Sequence, residues 1–289
     1  MLPVHTPPAT GWRGHLRLHY SARQQGDTRH TLAHDLHEGP LRVLQRLYPE
    51  GPGICHHVLV HPPGGVVGGD ELLIDARLDA GTHALVTTPG ATRFYRSEGA
   101  LGQQQARLQL AEGARLEWLP LENIAYSGCL AENRVELDLA TGAQALGWDT
   151  VALGLPAAGQ AFERGQFVQQ LHWPGRWLER GVLAAEDRLL LDSPLGLAGH
   201  RVLATLWFAS GTAMQTAQRE ALLEAARAAI EQSALPTTAG ATAPNDHVVV
   251  LRLVAARVEP AFGLLTAVRA AWRQLAWGLP ANPPRLWRC

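Results

Sequence analysis

Apolar and polar residues alternate through much of the first two-thirds of the chain. Residues 72–78, 106–110 and 134–139 place apolar side chains at every second position, the period of a strand with one buried face. Each run belongs to a longer unit of strand, short glycine turn and strand, at 73–89, 105–120 and 134–148. Leu78, Leu110 and Leu139 each stand three residues before a glycine, Gly81, Gly113 and Gly142, so the glycines are spaced by 32 and 29. Repeats of this length point to stacked units, each burying its face on the next. An ordinary sandwich of hairpins is the competing reading. The pattern predicts a mainly β protein of stacked, solenoid-like β layers over residues 1–210.

The pattern changes after residue 210. Residues 213–232 are rich in Ala, Leu, Glu and Arg, with Met214, Ala217, Ala221 and Ala225 at helical spacing, which predicts a helix. Residues 233–246 collect Pro, Gly, Thr and Asn and read as a loop; 247–258 read as a β-branched strand. Residues 262–277 form a second predicted helix, with Leu265, Val268, Trp272 and Leu275 on one stripe facing core or a partner. Pro280, Pro283 and Pro284 lead into Arg285-Leu286-Trp287. This tail either packs on its own domain or docks elsewhere. The expected organisation is a single domain, 1–289, made of the layered part and a helix–strand–helix part with its Pro-rich tail.

Composition narrows the chemistry. Hydrophobic residues are 46% of the chain and charged residues 18%, enough apolar material for a core and too little charge for disorder. The net charge is −1 without a basic block, which argues against nucleic acid or an anionic membrane as partner. All 25 basic residues are Arg. A P-loop lysine, a Schiff-base lysine and a lysine general base are therefore excluded. Cys55, Cys129 and Cys289 are too few and scattered for a disulfide framework. The first 14 residues do not read as a signal peptide, and no apolar run reaches the length of a membrane helix. A cytoplasmic location is expected.

Two local features carry potential chemistry. Residues 62–70 read Pro-Pro-Gly-Gly-Val-Val-Gly-Gly-Asp, a loop that permits positive φ and close backbone approach. A strand follows it, and no Gly-Lys-Ser/Thr does, so it fails the context of a nucleotide loop. Asp70 reads as its turn cap. Cys55, His56, His57 and His61 include borderline-metal donors; Cys55, His57 and His61 with Asp70 define one candidate function, a metal-dependent enzyme. On a strand, however, Cys55 and His57 share one face and His56 takes the other. His30, His34 and His37 would share a face only on a helix, which their neighbours do not support. No zinc-protease, hydrolase-elbow, EF-hand or Cys-x-x-Cys motif is present.

Longer segments are more specific. His61-Pro62-Pro63-Gly64-Gly65-Val66-Val67-Gly68-Gly69-Asp70 is followed by Leu85-Val86-Thr87-Thr88-Pro89-Gly90-Ala91-Thr92-Arg93-Phe94-Tyr95-Arg96-Ser97. Then come Leu116-Glu117-Trp118-Leu119-Pro120, Gly147-Trp148-Asp149, Glu179-Arg180 and Pro284-Arg285-Leu286-Trp287. In this order the segments resemble the urease accessory protein UreD (UreH) family over nearly the whole chain. The resemblance implies a stacked β fold with two helices and no catalytic activity of its own. It implies binding to apo-urease and to the accessory proteins UreF and UreG, the latter a nickel-carrying GTPase, in support of lysine carboxylation and nickel delivery. It further implies transient Ni²⁺ with no tightly bound cofactor, carried through an internal water-filled tunnel. Asp70 and Glu179 match positions tied to that path; the alternative roles are turn capping for Asp70 and, for Glu179, an ion pair with an Arg, either Arg180 or a partner across a strand. Arg93, Tyr95, Arg96 and Trp287 are expected on a partner-facing surface. Leu153-Gly154-Leu155 departs from the family's common Leu-Gly-Arg.

Overall fold

A computed structural model describes residues 11–288. Strands are numbered along the chain. Seven make the first sheet: β1 (Arg13–Gln25), β2 (Thr28–Glu38), β5 (Glu71–Leu78), β8 (Gly102–Leu110), β11 (Leu130–Leu139), β13 (Gln166–Trp173) and β14 (Trp177–Ala184). Ten make the second. Its main path is β3 (Arg42–Leu47), β4 (Ile54–Val60), β6 (His83–Thr87), β9 (Arg115–Leu119), β12 (Gln144–Leu153), β15 (Val202–Ser210), β16 (Ala239–Thr242) and β17 (Val248–Ala255). Short β7 (Thr92–Phe94) and β10 (Asn123–Ala125) join beside β12. The helices are α1 (Arg188–Asp192), α2 (Thr216–Glu231) and α3 (Val258–Trp277).

The repeat is physical. Leu78 pairs with Leu110 and Leu110 with Leu139 in parallel register, so the three repeat leucines form one stack in the core. The chain then turns through Gly81, Gly113 and Gly142, at φ +67°, +66° and +76°, conformations that favour glycine. It enters the second sheet at β6, β9 and β12, again in parallel register. Three rungs therefore stack, and the two sheets enclose one core. Register also decides which side chains share a level. Val86, Trp118 and Gly147 share a level, so Trp148 lies on the opposite face of its strand. Gly147 is needed there, because a Cβ would sit 2.3 Å from the Trp207 ring.

The second sheet is buried on both faces. Its outer side carries a second core against α2 and α3, giving three layers. β15 and β17 accordingly read as nearly unbroken apolar runs. Several expectations need correction. Residues 233–246 contain β16, an edge strand of Ala, Gly and Thr defined by backbone pairing to β17 rather than by side-chain pattern. α1, inside the β-rich part, is a five-residue helix capped by Asp187, which accepts the Leu190 N–H at 2.9 Å. α2 buries Leu222, Leu223, Ala226 and Ile230, with Ala225 packed beside them. On α3, Leu275 is 49% exposed, while Leu264, Leu265, Val268 and Trp272 are buried together with two arginines.

Those arginines explain the turn of the helix. Glu117 points from β9 into the helical layer, fully buried, and accepts Arg269 Nε at 2.8 Å and Arg273 Nε at 3.1 Å. Arg273 Nη2 also bonds both oxygens of Glu50, at 2.7 and 2.6 Å, and Glu50 meets His56 at 2.8 Å. Arg269 and Arg273 further donate to the carbonyls of Ala281 and Pro280, fixing the Pro-rich segment. Burial alone would raise the pKa of both carboxylates. Hydrogen bonds and the facing cations outweigh it and hold Glu50 and Glu117 at about 2, below their ordinary 4.5.

Glu117→Gln leaves the buried Arg269 guanidinium without its anion and Arg273 with Glu50 alone, and should cost about 3–5 kcal/mol in urea unfolding. A carboxylate with a depressed folded pKa stabilises fully above its unfolded value and loses that contribution as pH falls. Wild-type stability should therefore decline from about pH 4.5 toward 2, more steeply than that of the variant.

Candidate functional site

The two most distinctive sequence blocks lie against each other. Val66 bridges to Phe94 in parallel, its N–H donating to Arg93 O at 2.7 Å, and Tyr95 N–H returns to Val66 O at 2.9 Å. The glycines make this contact possible: a Cβ on Gly65 would lie 2.2 Å from the Tyr95 ring, and one on Gly68 2.3 Å from Ser97 Oγ. Asp70 closes the loop. It is 7% exposed; Oδ1 accepts the Trp12 N–H at 2.8 Å and Oδ2 the Val67 N–H at 3.0 Å. Both oxygens are thus committed to backbone.

The histidine-rich strand does not assemble a metal centre. On β4, His57 faces the inter-sheet core, where Nδ1 meets Tyr20 Oη at 2.8 Å and Nε2 accepts Arg46 Nε at 3.2 Å. Burial lowers its pKa to about 4. Cys55 is buried on the same face, its thiol pushed up to about 11 by desolvation. His56 faces α3 and belongs to the Glu50 cluster. On β2, His34 sits opposite His19 and His37 opposite Leu16, so alternation parts them. Among the described residues, no three His, Cys, Asp or Glu side chains converge as a metal-binding group.

A different constellation does form. Beside the glycine loop lies a cavity of about 280 Å³, walled by His61, Gly65, Thr88, Arg93, Gln104 and Trp118 among others. His61 Nδ1 is buried there without a hydrogen-bond partner, and burial lowers the pKa of the ring against the opposing pull of Asp70. Gln104 leads inward. Its amide donates to Asn133 Oδ1 at 3.1 Å; Asn133 donates to Asp149 Oδ2 at 2.8 Å, and Asn123 to Asp149 Oδ1 at 3.0 Å. Gln104, Asn133 and Gln169 share one register level on the first sheet. Gln169 approaches Asp149 closely enough to lower its pKa, although its Nε2 makes no hydrogen bond of ordinary geometry. Burial nevertheless dominates and raises Asp149 above the usual carboxylate range.

The row continues to Glu179. Asp149, Thr205 and Arg252 are lateral neighbours on β12, β15 and β17. Thr205 Oγ1 donates to Glu179 Oε1 at 3.2 Å, and Arg252 grips Glu179 with Nε at 2.9 Å and with Nη2. Glu179 extends from β14 on the first sheet, so this ion pair ties the two sheets at their edge. Its cationic partner is across the sandwich rather than at the adjacent Arg180.

Arg93, on the cavity wall, and its neighbours Tyr95 and Arg96 are exposed, Tyr95 lying against Tyr126 with ring centroids 4.9 Å apart. Trp287 is held by its own chain, against Trp148 and Phe262, with Nε1 donating to Thr87 Oγ1 at 3.0 Å. Sequence reasoning did not single out Asp149, Asn123, Asn133, Gln104 or Gln169 as a set. The available signal was polar residues at inward positions of otherwise apolar alternation.

Together these features define a layered β scaffold with a polar row crossing its interior. A family model described as UreD urease accessory protein matches residues 12–288. The chain is 60% identical to a urease accessory protein UreD of Leptothrix cholodnii, over 96% of this chain and 99% of the relative. Proteins of the same description from Verminephrobacter eiseniae and Variovorax paradoxus are 58% and 56% identical over the same shares. The chain belongs to the UreD family of urease accessory proteins, which supports a role in urease maturation and implies a non-catalytic one. No helix among the described residues is long and apolar enough to cross a membrane.

Asp70→Ala removes acceptors from two backbone amides and should cost roughly 1.5–3 kcal/mol, measured by urea unfolding; Asp70→Asn should cost less. Asp149 behaves oppositely to Glu117. A raised folded pKa means the folded state binds the proton more tightly, so stability falls as pH rises from the ordinary 3.8 through the raised value. Asp149→Asn should remove that slope and raise stability at neutral pH.

Proposed function

We propose that the chain acts in urease maturation as a non-enzymatic cytoplasmic scaffold that binds apo-urease and the accessory proteins UreF and UreG, and passes Ni²⁺ along its interior row. The observation carrying this reading is the succession of oxygen donors from the cavity through Gln104, Asn133 and Asp149 to Thr205 and Glu179. Hard and borderline divalent ions accept carboxylate and amide oxygens. Donors that are few at each point lower the cost of entry without closing a shell, which favours transfer over storage. At about 30 Å³ per water, the cavity has room for a hydrated ion, and the free Nδ1 of His61 offers it a first nitrogen. At the far end the ion exchanges with Arg252 for Glu179. Asp70 serves the path indirectly, by fixing the loop that walls the cavity. Arg93, Tyr95 and Arg96 supply partner contact at the mouth, to which Trp287 adds only its remaining exposed edge.

The test is urease activation in cells expressing urease and its accessory proteins under limiting nickel. Glu179→Gln and Asp149→Asn should each lower urease activity several-fold, with the variant chain still folded and still recovered with its partners; added nickel should restore part of the activity. Full activation by both variants at limiting nickel would discard the nickel route.

A further inference from the structure

The end of the sandwich opposite the glycine loop holds a second recess that the nickel route does not use. It has a volume of about 370 Å³ and is bordered by Arg29, Gly81, Thr82, His83, Gly113 and Arg115, with Leu279 closing it from the helical side. Two of the repeat's turn glycines therefore form its floor. Arg29 lies across the first of them: its Nη1 is 3.5 Å from Gly81 O, and a Cβ on Gly81 would meet that nitrogen at 1.8 Å. Arg115 is partly buried on β9, its guanidinium carbon 5.8 Å from the centroid of the Trp277 ring.

Among the described residues, no carboxylate lies within 4 Å of Arg29 or Arg115, whereas the two arginines buried deeper, Arg269 and Arg273, are both paired. Glu117, two residues along the same strand face as Arg115, is already held by that deeper pair. Desolvation lowers the pKa of Arg115, as burial of a cation does. His83 stands beside Arg115 in register. It is 7% exposed, and its Nε2 faces Glu117 Oε1 at 3.5 Å.

We propose that this recess is an oxyanion-binding site in which Arg115 and Arg29 supply the positive charge and His83 a polar wall. Guanidinium forks match the paired oxygens of carboxylate and phosphate. The site takes one such group, either a free anion or a carboxylate carried by a docking protein. Filling it gives Arg115 the partner that its burial demands and joins the turns of successive rungs to the end of α3.

Thermal unfolding of the full chain at constant ionic strength tests this, with sodium phosphate or sodium acetate titrated against sodium chloride. A ligand that binds only the folded state raises Tm in a saturable manner. The expected result is a saturable rise with at least one of the two oxyanions and none with chloride. Arg115→Gln and Arg29→Gln should each weaken the apparent affinity at least tenfold. Arg29 is exposed, so its variant remains informative if Arg115→Gln fails to fold. Saturation by phosphate alone identifies a phosphate-type anion; saturation by acetate identifies a carboxylate, including one from a protein side chain. A response absent with both oxyanions, or one that does not saturate and persists in the variants as a general salt effect does, overturns the assignment.

Discussion

Everything in the molecule hangs on the register of the three stacked rungs. Parallel pairing places Leu78, Leu110 and Leu139 at one level and the glycine turns at another. Side chains alternate on each strand, so a slip of one residue would exchange buried and exposed faces throughout. The same register that stacks leucines also lines up Gln104, Asn133 and Gln169. The apolar core and the polar row are two levels of one ladder. Neither could move without the other.

The buried carboxylates show how placement decides character. Glu117 and Glu50 face the helical layer, where two arginines keep them ionised. Asp149 faces the inter-sheet core, where amides are its hydrogen-bond donors and burial pushes it toward protonation. The first environment suits a permanent clamp between α3 and the sheet. The second leaves a carboxylate with amide partners and no fixed cation beside it. Glu179 stands between these extremes, gripped by Arg252 at a sheet edge that water reaches.

Much of the fold was legible in the sequence because it rests on local periodicity. The three alternating runs, the Leu-to-Gly spacing and the two long helices all appear where the pattern put them. What escaped depended on tertiary context. β16 exists because β17 offers a free edge, and α3 turns its arginines inward because Glu117 waits for them. The site was legible only in outline. Asp70 and Glu179 drew notice through resemblance, but their bonding partners Trp12 and Arg252 lie 58 and 73 residues away. Asp149 sat inside a recognised block, yet its role needs Asn123 and Asn133, which periodicity treats as interruptions of a strand.

The second sheet is buried on both sides, so each of its central strands has two allegiances. β9 sends Trp118 to one core and Glu117 to the other; β12 does the same with Asp149 and Trp148, and β17 with Arg252 and Leu251. Such a sheet works as a taut diaphragm. A displacement of α2 or α3 would reach the spacing of the polar side chains through a single thickness of backbone, with no lever or hinge in between.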